Sequence, residues 1–194
     1  MTNLIMRSTF SICWLSAALL PGVLTAAETA EQAEAQAAIA AFAGALKAEL
    51  TSAMQAGGPL NAIEVCNERA PTIAARVSVE KGMRLSRVSL RNRNPDNAPN
   101  DWQAAVLQQF ETRQAAGEDL GVLLWQDVAE SNSQREFRFM KAIPTAPLCL
   151  GCHGESIAPP VAEKIAELYP DDRATGFREG DIRGAFVVTK ALEP

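Results

Sequence analysis

The sequence predicts an α+β fold, with helices first and antiparallel strands after them. Three observations carry this. Apolar residues recur at helical spacing in the first half of the chain, and short runs alternate between apolar and polar residues in the second. Clusters of glycine, proline, asparagine and aspartate fall between these segments. No internal repeat is visible, and the length suits one domain with one core.

The first residues read as an export signal. Arg7 gives a positive start, "FSICWLSAALL" is an apolar run, and "LTAA" offers a small-residue cleavage site. Cleavage after Ala27 removes residues 1–27 and leaves a single domain over residues 28–194, expected in the periplasm or outside the cell. The apolar run, which includes Cys13, is short for a hydrocarbon core of about 30 Å. No later stretch reads as a membrane span.

From Glu28 the chain is rich in alanine and glutamate, with Ile39, Phe42, Leu46 and Leu50 on one helical stripe. "QAGGPL" is expected to stop that helix. A second helix is expected in "NAIEVCNERAPTIAARVSVEKG", with Ile63, Cys66, Ala70, Ile73 and Val77 on one face. Asn61 is its candidate cap, Gly82 its stop, and Pro71 should start a new turn or bend it. "GMRLSRVSL" reads as a strand, "RNRNPDNAPN" as turn, and Asp101 opens a third helix in "DWQAAVLQQFETRQA". Two more strands are expected in "VLLWQDV" and "EFRFMKAI", a short helix in "PPVAEKIAELY", a loop in "PDDRATGFREGD" and a last strand in "IRGAFVVTKA". Trp102 and Trp125 read as core.

Loss of Arg7 with the signal leaves 17 basic residues against 23 acidic ones, a net charge of −6. That balance argues against nucleic acid or an anionic membrane as partner. It is silent on protein partners.

The one histidine of the chain stands in "TAPLCLGCHG", directly behind Cys149 and Cys152. C-x-x-C-H is the spacing of covalent c-type haem attachment. Each thiol adds across one vinyl group of the porphyrin, and the adjacent His153 turns its imidazole onto the iron as proximal ligand. Gly151 keeps the space between the cysteines small, and Gly154 lets the chain turn away. A zinc knuckle would need Cys66 as its fourth ligand. A thioredoxin-like pair would sit at a helix start within a βαβ pattern, whereas this one follows the proline-broken "IPTAP". A disulfide between Cys149 and Cys152 would close a very small, strained loop.

Removing the signal leaves three cysteines, an odd number for an oxidising compartment. If two are bonded to haem, Cys66 stands alone. Iron has a second axial position, and the residues open to it are Cys66, a methionine, a lysine, or water. Met54, Met83 and Met140 lie in stretches that read as core filler. Cys66 has two readings of its own: a small buried apolar residue, or the distal ligand.

The stretches "AIEVCNERAP", "RVSLRNRNPDNAPNDW", "FRFMKAIPTAPLCLGCHG" and "YPDDRATGFREGDIRGAFVVT" resemble, in order, a family of bacterial single-haem c-type domains with a PAS-like fold. Members of that family occur alone or as sensor modules ahead of histidine kinases. The resemblance implies a five-stranded antiparallel sheet with helices packed on it. It also implies an axial pair of His153 and Cys66.

Haem propionates need cations or backbone donors where they are partly buried. Arg87, Arg91 and Arg93, around a strand end and turn, are candidates for those contacts, and Arg138 is a weaker one. Asn94 and Asn97 are expected to shape the turn.

Two functional classes follow. One is a low-potential electron carrier or redox sensor with one covalent haem c; the other is a gas- or ligand-sensing haem module working with a separate signalling partner. An enzyme is not expected, because no acid–base pair neighbours the motif and the one histidine is already used.

Overall fold

The structure, a computed structural model, describes residues 26–131 and 134–193. The expected export segment lies outside the described residues, except for Ala26 and Ala27, which open the first helix.

Helix α1 runs from Ala26 to Glu64, built from alanine, glutamate, glutamine, leucine and lysine, the strong helix formers. The expected stop at "QAGGPL" is a sharp kink: Gly58 leaves helical geometry at φ 71° and ψ −158°, and Pro59 restarts the helix. Asn61 therefore lies inside the resumed helix rather than capping it. Its side chain covers Gly57, where an added Cβ would fall 2.2 Å from the Asn61 amide nitrogen. The next turn, Val65–Arg69, is π-helical and ends just before Pro71, which has no N–H to continue an α ladder. Helix α2 then spans Ala70–Lys81 and stops at Gly82, left-handed at φ 62°. Among the described residues α1–α2 is the one helical stretch long and apolar enough, at mean hydropathy 1.2, to cross a membrane. It owes that value to alanine, and its apolar face packs on the sheet.

Strand β1 is Arg84–Val88, β2 Leu124–Ser131, β3 Gln134–Pro144 and β4 Ile182–Leu192. They pair antiparallel in the order β1-β4-β3-β2. Helix α3, Asp101–Ala115, begins at Asn100, whose side chain accepts from the Gln103 amide while Gln103 reaches back to the Asn100 N–H. The short α4, Leu150–His153, and α5, Pro159–Leu168, lie between β3 and β4. The sheet has four strands among the described residues, not the five that the family resemblance implied. "RNRNPDNAPN" supplies no further ladder, because Pro95 and Pro99 lack N–H donors and Asn94 caps a 3-10 turn over Pro95–Asn97.

Alternation along the strands divides the core between two faces. Leu85, Phe137, Phe139 and Val188 meet Ala35, Ala38, Ile39 and Phe42 of α1 and Ile73 and Val77 of α2. Met140, Ala142, Ala185 and Val187 meet Val106, Leu107 and Phe110 of α3 on the other face. Trp102 and Trp125 stack at 5.6 Å against this second cluster, half-buried. Phe42 is the anchor of α1. It meets Phe186 edge-on at 6.0 Å, the Arg87 guanidinium lies 5.3 Å from its ring centre, and its burial stabilises by about 2–3 kcal/mol. Lys190 adds ion pairs to Glu31 and Glu34 of the same helix.

The ladder between β3 and β4 slips by one residue at its end. Ile143 pairs with Gly184 and Pro144 with Ile182, so Arg183 is the unpaired residue of a bulge. Gly184 then passes close to β1, where a Cβ would fall 2.3 Å from the Val88 carbonyl oxygen. Gly184→Ala should therefore lower stability by about 1–3 kcal/mol, read from the denaturant midpoint. An unchanged midpoint would show that this crossing relaxes freely.

Candidate functional site

A cavity of about 260 Å³ opens between α1, the π turn, the ends of β1, β3 and β4, and the C-x-x-C-H segment. Leu46, Leu50 and Met54, four residues apart on α1, form an apolar wall, and Cys66 enters from the π turn. The motif itself is a 3-10 turn, Pro147–Cys149, running into α4, and this brings Cys149, Gly151, Cys152 and His153 to the same cavity. A Cβ at Gly151 would meet no protein atom within 4 Å; it faces open space. Gly154 is needed for close approach and not for handedness. Its φ is −72°, but an added Cβ would fall 2.5 Å from the Leu150 carbonyl oxygen.

His153 is held by the loop that precedes β4. Its Nδ1 lies 2.7 Å from the Ala174 carbonyl oxygen, which can only accept, so Nδ1 carries the proton and Nε2 keeps a free lone pair. Phe177 N–H donates to the His153 carbonyl at 2.9 Å, and Gly176 N–H to that of Gly154 at 2.8 Å. Burial, then the nearby guanidinium groups of Arg183 and Arg93, push the imidazole pKa down to about 2. The ring is a neutral donor at any ordinary pH.

Of the arginines expected to meet an anion, the cavity collects Arg87 and Arg93 but not Arg91. Arg91 is exposed. Its guanidinium stacks 4.0 Å from the Phe177 ring centre and donates to the Thr175 carbonyl, so it braces the loop. Arg93 is buried, with Nε and Nη2 on the two Asp172 carboxylate oxygens, both at 3.1 Å. Arg138 lies away from the cavity, over Trp102 and paired with Glu136.

Arg183 is the residue that sequence reasoning missed. It lines the cavity from the β4 bulge, and a bulge leaves no trace in a two-residue alternation. Burial, then repulsion by Arg93 and Arg87, lowers its pKa to about 10, and burial lowers that of Arg87 as well. Among the described residues neither Arg87 nor Arg183 pairs with a carboxylate. Two half-buried cations without carboxylate partners, crowded by each other and by Arg93, suit an anionic occupant. Met54, expected in the core, is a half-buried wall residue, and Asn97 shapes its turn as expected and also lines the cavity. Met83 and Met140 are core as expected.

No disulfide joins the three cysteines among the described residues. Burial raises the Cys66 and Cys152 thiols, against the pull of Arg87 on the first and Arg93 on the second. A raised pKa is the opposite of what a C-x-x-C redox nucleophile needs. No three histidine, cysteine or acidic side chains among the described residues are grouped to hold a metal ion, so a zinc knuckle has no ligand set. The lining instead gathers the Cys149, Cys152 and Cys66 thiols and the His153 imidazole around one cavity.

A family model described as Tll0287-like matches residues 24–190. The chain belongs to the Tll0287-like family. The match extends from the start of α1 almost to the end of β4, so the family is defined by the whole architecture and not by the motif alone. A solved structure, that of the cyanobacterial haem protein Tll0287, superposes with a TM-score of 0.61 at 24% identity, over 88% of this chain and 98% of that one. That likeness is one of fold. A search of the curated proteins found no match.

The cavity's charge gives a test that needs no ligand. In a Cys149→Ser/Cys152→Ser background, Arg87→Met should raise stability by about 1 kcal/mol, because it removes one of the like charges that crowd Arg183 on the cavity wall. A loss of stability would mean that Arg87 serves packing over Phe42 instead.

Proposed function

We propose that this chain is an exported c-type haem protein carrying one haem, bonded to Cys149 and Cys152, with His153 and Cys66 on the two faces of the iron. One observation carries the reading: Cys66, distant in sequence, lines the same cavity as Cys149, Cys152 and His153 of the C-x-x-C-H motif. The donor set suits that group. Each of the two thiols can add across one vinyl group, Nε2 of His153 is unprotonated and aimed by its Nδ1 hydrogen bond, and Arg87 and Arg183 can meet propionates. When bound, haem supplies one-electron redox chemistry at iron. The chain's own residues exclude water with Leu46, Leu50 and Met54 and hold the ligands in place. The family membership and the haem protein of like fold support this assignment.

The role that follows is low-potential electron transfer or redox sensing in the periplasm, with a redox or signalling protein as partner. An anionic thiolate favours ferric over ferrous iron and lowers the midpoint relative to Met/His ligation. The π turn under Cys66 favours a second reading, a gas-sensing module. Such a turn can relax to α-helix, rotating the thiol out of the cavity and freeing a coordination site.

Acid–acetone extraction should leave the haem on the polypeptide, with a mass gain of one haem, and Cys149→Ser with Cys152→Ser should abolish attachment. Colour that passes into the solvent would defeat covalent binding. Cys66→Ala should shift the midpoint upward, by about tenfold or more in the ferric-to-ferrous ratio at fixed potential. An unmoved midpoint would make Cys66 a packing residue. Exposure of the reduced wild type to CO separates the two roles: no spectral change is expected of a carrier, and formation of a CO complex would favour the sensor.

A further inference from the structure

Behind His153 lies a network that the ligand set does not require. The Ala174 carbonyl oxygen, on a fully buried residue, accepts from His153 Nδ1 at 2.7 Å and also from Arg93 Nη2 at 3.3 Å. The same Nη2 donates to the Cys152 carbonyl at 2.6 Å. Asp172 holds Arg93 in a two-point pair and accepts from the Ala174 N–H at 2.8 Å. Both partners of the pair are more than nine-tenths buried, at 8% and 9% side-chain exposure, so solvent screens little of their charge. A guanidinium is thus fixed on the carbonyl that receives the imidazole proton, and its counter-ion is fixed on the guanidinium.

A histidine that donates strongly from its second nitrogen gives more electron density to a metal on the first. A cation on the shared acceptor draws density out of that carbonyl and weakens the donation. A carboxylate on the cation restores part of it. We propose that Arg93 and Asp172 are positioning residues that set the donor strength of His153 toward iron, acting through the Ala174 carbonyl. The inference rests on haem being bound as proposed above. Arg93 holds the midpoint up, and Asp172 holds it down.

The test is a redox titration of purified holoprotein with Arg93→Gln and Asp172→Asn, each first checked for covalent haem by mass. At a fixed potential the ferric-to-ferrous ratio should rise about tenfold in Arg93→Gln, near 59 mV downward for one electron, and fall in Asp172→Asn. A purely structural role would loosen the same histidine in both variants and move both midpoints the same way. The route is read separately by resonance Raman on the ferrous protein in a Cys66→Ala background. The iron–histidine stretch should rise with Arg93→Gln and fall with Asp172→Asn. Should Arg93→Gln fail to accumulate, Arg93→Lys keeps the charge but cannot span Asp172 and both carbonyls, and its stretch should rise as well. Shifts of one sign, or none, in variants that retain covalent haem overturn the inference and leave the haem assignment standing. Opposite midpoints with an unmoved stretch overturn the carbonyl route. A wild type without haem overturns both.

Discussion

The hydrogen bond between His153 Nδ1 and the Ala174 carbonyl decides which nitrogen faces the cavity, and much of the C-terminal half is arranged to hold it. The loop bearing Ala174 is clamped from one side by Asp172 and Arg93. It is clamped from the other by the backbone bonds of Gly176 and Phe177 to Gly154 and His153. Phe177 is buried between the Arg91 and Arg183 guanidinium groups and meets the His153 ring edge-on at 6.4 Å. A four-residue helix such as α4 could not orient the His153 ring by itself. The loop does so.

Other parts of the cavity lining depend on irregularities in otherwise regular elements. The kink at Gly58 redirects the chain after α1 has packed along the sheet, the π turn presents Cys66, and the bulge in β4 presents Arg183. Each breaks a ladder locally, and each falls beside the cavity. The rest of the sheet and its two covering layers are ordinary. Regular packing supplies the rigidity, and the exceptions bring Cys66 and Arg183 to the cavity.

The regular part was legible in the sequence. Alternation located all four strands, capping residues located α3 and the end of α2, and the C-x-x-C-H spacing marked one wall of the site. The resemblance supplied Cys66 as a partner for it, where helical spacing alone left the thiol between two readings. What escaped was non-local or irregular. Asp172 is a surface-loop residue by composition, and its burial against Arg93 depends on a return of the chain that no periodicity encodes. Arg91 and Arg93 are two positions apart in one turn, yet one is exposed on Phe177 and the other is buried. Arg183 followed from the register slip and not from its neighbours. The fifth strand came from the family resemblance and from no alternation in the sequence, and the described residues form four.

The central claim is that one group sits between Cys66 and His153, bonded through Cys149 and Cys152. Low-temperature electron paramagnetic resonance of the oxidised wild-type protein addresses it most directly. The account predicts a low-spin ferric signal with the narrow spread of g values that a thiolate opposite an imidazole imposes, replaced by a high-spin signal in Cys66→Ala. A wild-type signal of the broad type given by methionine–histidine ligation, or one that survives Cys66→Ala unchanged, would contradict it.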